Sequence, residues 1–216
     1  MTKEINNVGI LGAGKLGIVL AQLAIKSGYH VMVSASGRSE NTALIVDSLA
    51  KGAIFSSNSD VIKHSDLIIL ALPLSQYKNI DYTLLANKIV IDAMNYWWET
   101  DGPYELMMNS SSSSSEQIQK YFTLSAVVKS LNHMSYHDLE KYSHLNKSGI
   151  RKAIYVAGDD KEAVDIAGKF IYSIGFDPLK KYKLSDGVAA EPGKEIFGAV
   201  LEKKELQKKV SKQLKE

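Results

Sequence analysis

The chain has 216 residues, of which 45% are hydrophobic and 23% charged, and this composition is ordinary for a globular protein. It contains no cysteine, which excludes disulfides, iron–sulfur clusters, thiolate zinc sites and a cysteine nucleophile. Its 26 basic and 24 acidic residues give a net charge of +2, too even to favour nucleic acid as a partner. Because no apolar run reaches the roughly 20 residues of a membrane span, and no signal peptide is recognisable, we expect a cytoplasmic protein without a membrane partner.

In the first half of the chain, short apolar runs alternate with longer amphipathic ones. The short runs predict buried strands at 7–11, 30–35, 53–56, 66–72 and 88–93. The amphipathic runs predict helices at 15–27 and 40–51, and a short helix that begins near residue 58 and continues through 63. This alternation is typical of a parallel sheet that is built from right-handed crossovers.

The second half continues the pattern with predicted strands at 126–131, 151–158 and 176–184. Helices are predicted at 116–122, 137–144, 161–174 and 195–215. Ser113 lies within a run of six serines at 110–115. Its spacing to Glu116 is that of a capping box that starts a helix. We therefore expect an α/β fold, a doubly wound and mainly parallel sheet with helices on both faces. It would form one domain over residues 1–200, with a charged helical tail over 201–216.

The segment that joins the first predicted strand to the first helix carries the spacing G-x-G-x-x-G. In this position the motif predicts a Rossmann-like site for a dinucleotide, whose pyrophosphate would lie on the helix N-terminus. Its residues are Gly12, Ala13, Gly14, Lys15, Leu16 and Gly17. The overlapping start of a P-loop, G-x-x-x-x-G-K, is disfavoured because Leu16 occupies the place of the magnesium-binding Ser or Thr.

The turn after the second predicted strand indicates which dinucleotide is bound. Enzymes that use NAD commonly place an acidic residue there to bind the ribose 2′-hydroxyl, and this turn contains none. It contains Ser34, Ser36, Arg38 and Ser39 instead, which could hydrogen-bond a 2′-phosphate, with Arg38 supplying the positive charge. The sequence therefore predicts NADP(H) as the cofactor.

The chain resembles the NADPH-dependent reductases of coenzyme F420, also described as F420-dependent NADP oxidoreductases. The resemblance covers about residues 5–198. It rests on GILGAGKLG at 9–17, the S-x-S-G-R turn at 34–38, DLIILALPL at 66–74, VIDAMNYW at 90–97, SLNHMSYHDL at 130–139, VAGDD at 156–160, GFDP at 175–178 and AEPG at 190–193. It implies a Rossmann-like domain in a homodimer, and hydride transfer between NADP(H) and a deazaflavin or flavin acceptor.

The resemblance also implies roles for residues that follow the later strands. Leu72, Pro73, Leu74 and Ala93 would lie along the nicotinamide half of the cofactor. The residues that would border the acceptor are Met94, Asn95, Asn132, His133 and Met134. All of them follow the carboxyl ends of predicted strands, where ligands of open parallel sheets bind. We expect the apolar side chains among them to form lips around two stacked rings, because hydride transfer requires mainly positioning and exclusion of water.

Other functions remain open at this point. A reductase of an imine or carbonyl would need a proton donor, and His133 is the first candidate for that catalytic role. Such reductases usually carry a large helical C-terminal domain, for which little sequence follows the last predicted strand. A non-enzymatic NADP sensor is the other alternative. We predict no metal site, because the histidines at 133 and 137 lack the glutamate of the zinc-protease motif.

Overall fold

The computed structural model describes residues 4–35, 40–103, 113–144 and 149–214. Within these ranges one sheet of eight strands runs through the molecule in the order β3-β2-β1-β4-β5-β6-β7-β8. The strands are β1 Asn7–Leu11, β2 His30–Ser34, β3 Ile54–Phe55, β4 Leu67–Leu70, β5 Ile89–Asp92, β6 Ala126–Ser130, β7 Ala153–Gly158 and β8 Asp177–Lys181. All neighbouring strands are parallel except β6 and β7, which are antiparallel. The predicted doubly wound, mainly parallel sheet is confirmed.

Helices cover both faces of the sheet, as the sequence predicts. The α-helices of the described ranges are Lys15–Lys26, Glu40–Leu49, Asn58–His64, Trp98–Asp101, Ser114–Tyr121, Tyr136–Tyr142, Lys161–Ser173 and Lys203–Gln213. Short 3₁₀ helices span Leu74–Asn79, Tyr82–Leu85 and Leu184–Ala190. None of these helices is long and apolar enough to cross a membrane.

The side chains of the central strands alternate between two separate cores. Leu67 and Ile69 of β4 pack in the core on one face with the helix Lys15–Lys26, whereas Ile68 and Leu70 pack in the core on the other face. Because side chains of a strand point alternately to opposite faces, a continuous apolar run is what a strand covered on both faces requires. The run at 66–72 was predicted as a buried strand for this reason.

The element ends differ from the predictions where local turns intervene. The capping box at Ser113 is confirmed, and its helix begins at Ser114. The last strand ends at Lys181, short of the predicted 184, where the chain enters a 3₁₀ helix. The final helix begins at Lys203 rather than 195, because Gly193 and Gly198 adopt positive φ angles of 83° and 77°. This helix packs on the sheet through Leu206 and Val210, both fully buried.

Candidate functional site

The glycine loop is shaped by two backbone contacts that exclude any side chain. Gly12 has a φ of +123°, and a Cβ there would lie 2.1 Å from the carbonyl oxygen of Ala71. A Cβ on Gly17 would lie 1.9 Å from the carbonyl oxygen of Gly12. These contacts bring the start of the helix Lys15–Lys26 against β1 and the end of β4, which is the close packing that the motif predicts.

Gly14 differs from the other two glycines because it faces open space. It is the N-cap of the helix, its φ is −75°, and a Cβ there would meet nothing within 4 Å. The helix has no side-chain cap and no acidic residue in its first turn. The N–H groups of the first turn, from Lys15 to Gly17, therefore have no partner within the helix and are available to an anion at its N-terminus.

A cleft of about 410 Å³ opens beside this loop, at the carboxyl ends of β1 and β4. Gly12, Ala13 and Gly14 form one side of it. The remaining lining residues are Leu11, Ala35, Thr42, Asn58, Ala71, Leu72, Pro73, Gln76, Asn79 and Ile80. An open space beside an unpartnered helix N-terminus and an exposed glycine suits a phosphate-bearing dinucleotide, so the residues present fit NADP(H).

The turn that is predicted to choose between NADP and NAD is only partly described. Ser34 ends β2 and is buried, its carbonyl oxygen accepts from the N–H of Gly12 at 2.8 Å, and its Oγ has no hydrogen-bond partner among the described residues. Ser36, Arg38 and Ser39 lie outside the described residues. Their part in binding a 2′-phosphate stays a prediction from the sequence.

The loops that follow β4 and β5 are fastened together by a carboxylate that the sequence analysis missed. Asp101 is buried, and its two carboxylate oxygens accept from the N–H groups of Ser75 and Trp97, each at 2.8 Å. Ser75 follows Leu72–Leu74, the residues predicted to lie along the nicotinamide half. Of these, Leu72 is partly exposed, Pro73 is exposed and Leu74 is buried. Asp101 thus fixes the distance between two walls of the predicted site.

Two asparagines join the ends of β5 and β6. Asn95 Nδ2 donates to the backbone oxygen of Asn132 at 2.9 Å, and Asn132 Nδ2 donates to Asn95 Oδ1 at 3.0 Å and to the oxygen of Ala190 at 2.7 Å. Asn132 Oδ1 is buried and has no hydrogen-bond partner among the described residues. The structure therefore brings together these two residues, which were predicted to border the acceptor.

Met94 and Met134 do not line the predicted site around the two rings, contrary to the expectation from the sequence. Met94 is 2% exposed and packs in the core on one face of the sheet, while Met134 is 3% exposed and packs in the core on the other. The two side chains therefore lie on opposite faces of the sheet. The expectation that both side chains line one crevice is corrected accordingly, and Ala93, 2% exposed, is likewise covered.

His133, the predicted catalytic acid, is held by the backbone of the neighbouring strand. Its ring is 1% exposed, and Nε2 accepts a hydrogen bond of 3.1 Å from the N–H of Tyr155 in β7. Burial lowers the pKa of His133 to about 4, and the nearby backbone of Ile196 raises it by a smaller amount. A neutral imidazole whose Nε2 is already engaged suits a structural role better than proton donation, so the geometry disfavours the predicted catalytic role.

The buried His133 makes stability depend on pH. The unfolded chain takes up a proton as the pH falls through 6.5, whereas the folded chain does so only near pH 4. The contribution of neutral, buried His133 to the free energy of unfolding is therefore complete above pH 6.5 and is lost as the pH falls toward 4. We expect this group to lower the free energy of unfolding by about 2 kcal/mol between about pH 7.5 and about pH 5. Urea titrations of the wild type and His133→Gln measure it, and equal pH slopes for the two proteins would contradict the assignment.

A second missed feature lies two residues before Met94, the first residue predicted to border the acceptor. Asp92 ends β5, Lys129 is its direct neighbour in β6, and both side chains are fully buried with Nζ and Oδ2 3.2 Å apart. The signal in the sequence is a charged residue at the end of each of two apolar runs, at 88–93 and 126–131. It could have been found by aligning the two strands in parallel register.

Comparisons with known proteins assign the cofactor-binding part of the chain. Residues 7–96 match the sequence profile of the family described as NADP oxidoreductase, coenzyme F420-dependent. The match includes the glycine loop, the residues that line the cleft, Ser75 and Asn95, and it ends before Trp97 and Asp101.

The relatives extend the likeness beyond the matched segment. Metalloreductase STEAP3 of Rattus norvegicus is 27% identical over 192 residues, which are 88% of this chain, and the chain spans only 36% of the length of that protein. A hypothetical protein from Sinorhizobium meliloti shares the fold with a TM-score of 0.77 and 21% identity, covering 91% of this chain and 95% of that one. A candidate F420-dependent NADP-reductase from Arthrobacter sp. FB24 has a TM-score of 0.68 and 21% identity over 85% of this chain and 87% of its own. These structural likenesses confirm the Rossmann-like fold.

Proposed function

We propose that this protein is an NADPH-binding oxidoreductase that transfers a hydride between NADP(H) and a deazaflavin of the F420 type or a flavin. The observation that carries the proposal is the cleft beside Gly14, which opens onto an uncapped helix N-terminus within the segment that matches the profile of the F420-dependent family. The likeness to a candidate F420-dependent reductase supports the same reaction class.

The residues of the chain act by positioning. The N–H groups at the start of the helix Lys15–Lys26 would bind the pyrophosphate, and Leu72 with Pro73 would border the nicotinamide half. NADPH supplies the hydride when it is bound. Asp101 keeps the loops after β4 and β5 at a fixed separation, and the pair Asn95–Asn132 does the same for the loops after β5 and β6. Because hydride transfer depends on near contact of two rings, such fastening is a direct contribution to rate.

The experiment that tests this proposal follows the near-ultraviolet absorbance of NADPH with F420, FMN or riboflavin as the acceptor. We expect rapid loss of NADPH with F420. Loss with a flavin alone would retain the mechanism and change the acceptor. No loss with any of the three would contradict the proposal and redirect the search to imines, carbonyls or a sensor role.

Arg38 tests the choice of cofactor. We expect Arg38→Ala to weaken the binding of NADPH by roughly 1.5–3 kcal/mol more than the binding of NADH, because a charge-assisted contact with the 2′-phosphate is lost. Fluorescence titration with both cofactors measures the difference. Equal weakening of the two would show that the 2′-phosphate site lies elsewhere.

The proposal also includes the homodimer and the cytoplasmic location that the resemblance and the sequence imply. Light scattering of the purified protein tests the homodimer. A mass of one chain, 23.8 kDa, at the concentrations used for activity would contradict it.

A further inference from the structure

We infer that Lys129 is a positioning residue for hydride transfer. Its side chain fixes the peptide between Met94 and Asn95, after β5, without contacting either ring. This inference rests on the proposed function. Lys129 lies in the middle of the molecule, one strand away from that peptide. It acts on the backbone of Met94 and, through it, on Asn95.

The geometry places Lys129 at the centre of a closed network. Its Nζ donates to the carbonyl oxygen of Met94 at 2.5 Å and to Asp92 Oδ2 at 3.2 Å. Asp92 Oδ1 accepts from the N–H of Met94 at 3.0 Å, and its Oδ2 also accepts from Ser115 Oγ at 2.5 Å. Both backbone groups of Met94 are therefore bound by one buried ion pair.

This pair requires an explanation beyond stability. Removing two charges from water costs several kcal/mol per ion, and apolar residues of similar volume would usually serve a core as well or better. The ion pair does what apolar residues cannot do, because it supplies a donor to the carbonyl and an acceptor to the N–H of the same residue. The chain also closes over it, since a Cβ on Gly187 would lie 3.0 Å from Lys129 Cβ.

The consequence reaches the predicted acceptor site through the next residue. With the carbonyl of Met94 fixed, the planar peptide that joins it to Asn95 is fixed as well. Asn95 then reaches Asn132 with two hydrogen bonds, and Asn132 reaches Ala190. Lys129 therefore sets the position from which the Asn95–Asn132 pair borders the acceptor.

The test uses the full-length double variant Lys129→Met/Asp92→Asn, because Lys129→Met alone leaves an unpaired buried charge and could fail to fold. We expect the double variant to bind NADPH within threefold of the wild type, because the glycine loop is untouched. We expect its kcat for hydride transfer at saturating NADPH to fall at least tenfold. Amide hydrogen exchange in the peptide that covers residues 92–97 should be at least tenfold faster.

Ser130→Ala is the matched control. Ser130 is the next residue of the same strand and is also buried, but its Oγ donates to the carbonyl of Tyr155 at 2.8 Å, away from Met94. We expect its kcat and its exchange over 92–97 to equal those of the wild type.

A double variant that folds and keeps both kcat and exchange within threefold of the wild type would overturn the inference. A parallel loss of NADPH affinity would also overturn it, because the effect would then be general damage rather than positioning. If the wild type transfers hydride to none of the acceptors, the proposed function fails on its own. The exchange over 92–97 and NADPH affinity still decide whether Lys129 holds this peptide.

Discussion

The Gly14→Val variant is expected to bind NADPH at least tenfold more weakly than the wild type while its stability falls by only about 1 kcal/mol. The new side chain meets no protein atom within 4 Å of its Cβ, so the fold has no reason to move. The same space lies in front of the uncapped helix N-terminus, where the pyrophosphate would approach the backbone. The small loss of stability reflects the poor capping preference of valine relative to glycine.

Fluorescence titration with NADPH and thermal unfolding of the same samples measure the two effects. Gly14→Ala provides a graded comparison, because it adds one methyl group where valine adds three carbons. We expect its affinity to lie between those of the wild type and Gly14→Val. Unchanged affinity in both variants would contradict the placement of the cofactor.

Gly17→Ala is expected to lose about 3 kcal/mol in the free energy of unfolding, in contrast to the small loss of stability expected of Gly14→Val. Alanine in place of glycine inside a helix ordinarily stabilises it by up to about 1 kcal/mol. Here the added Cβ would lie 1.9 Å from the carbonyl oxygen of Gly12, which is backbone and has no rotamer by which to move away. The helix must therefore shift away from β1, and its burial against the sheet is lost in part.

Urea unfolding checks this expectation, with Gly14→Ala as the control. The two variants carry the same substitution three residues apart in the glycine motif. The added Cβ would meet backbone atoms at Gly17 and nothing within 4 Å at Gly14. Equal stabilities for the two variants would show that the close approach of helix and strand is not a constraint.

The sequence predicts the fold well because its signals are local. The run at 66–72 can only be a strand covered on both faces, and the glycines at 12 and 17 sit where β1 turns into the first helix. The capping box at Ser113 is a local signal as well, and it fixes the start of its helix. What the sequence does not show is that β6 and β7 are antiparallel, because strand direction depends on where the intervening chain packs.

The candidate site is predictable to the extent that it follows strand ends. Asn95 and Asn132 meet because β5 and β6 are parallel neighbours, so their carboxyl ends lie side by side. His133 was the first candidate acid because an imine or carbonyl substrate would need a proton donor, but only the structure shows its Nε2 bound to β7. Asp92, Lys129 and Asp101 were missed because Asp92 and Lys129 pair across 37 residues of chain and Asp101 binds Ser75 across 26.

A protein that brings a nicotinamide ring and an acceptor ring together lets hydride pass directly between them. The measurement that tests this hydride transfer most directly is transfer of deuterium from NADPH that is labelled at the reactive face of its C4, with oxidised F420 as acceptor and mass spectrometry of the reduced product. We expect one deuterium on a carbon of the reduced deazaflavin and none released to water. Reduced F420 that carries no deuterium, whichever face of C4 is labelled, would contradict direct transfer, and so would an imine that is reduced while neither F420 nor a flavin is.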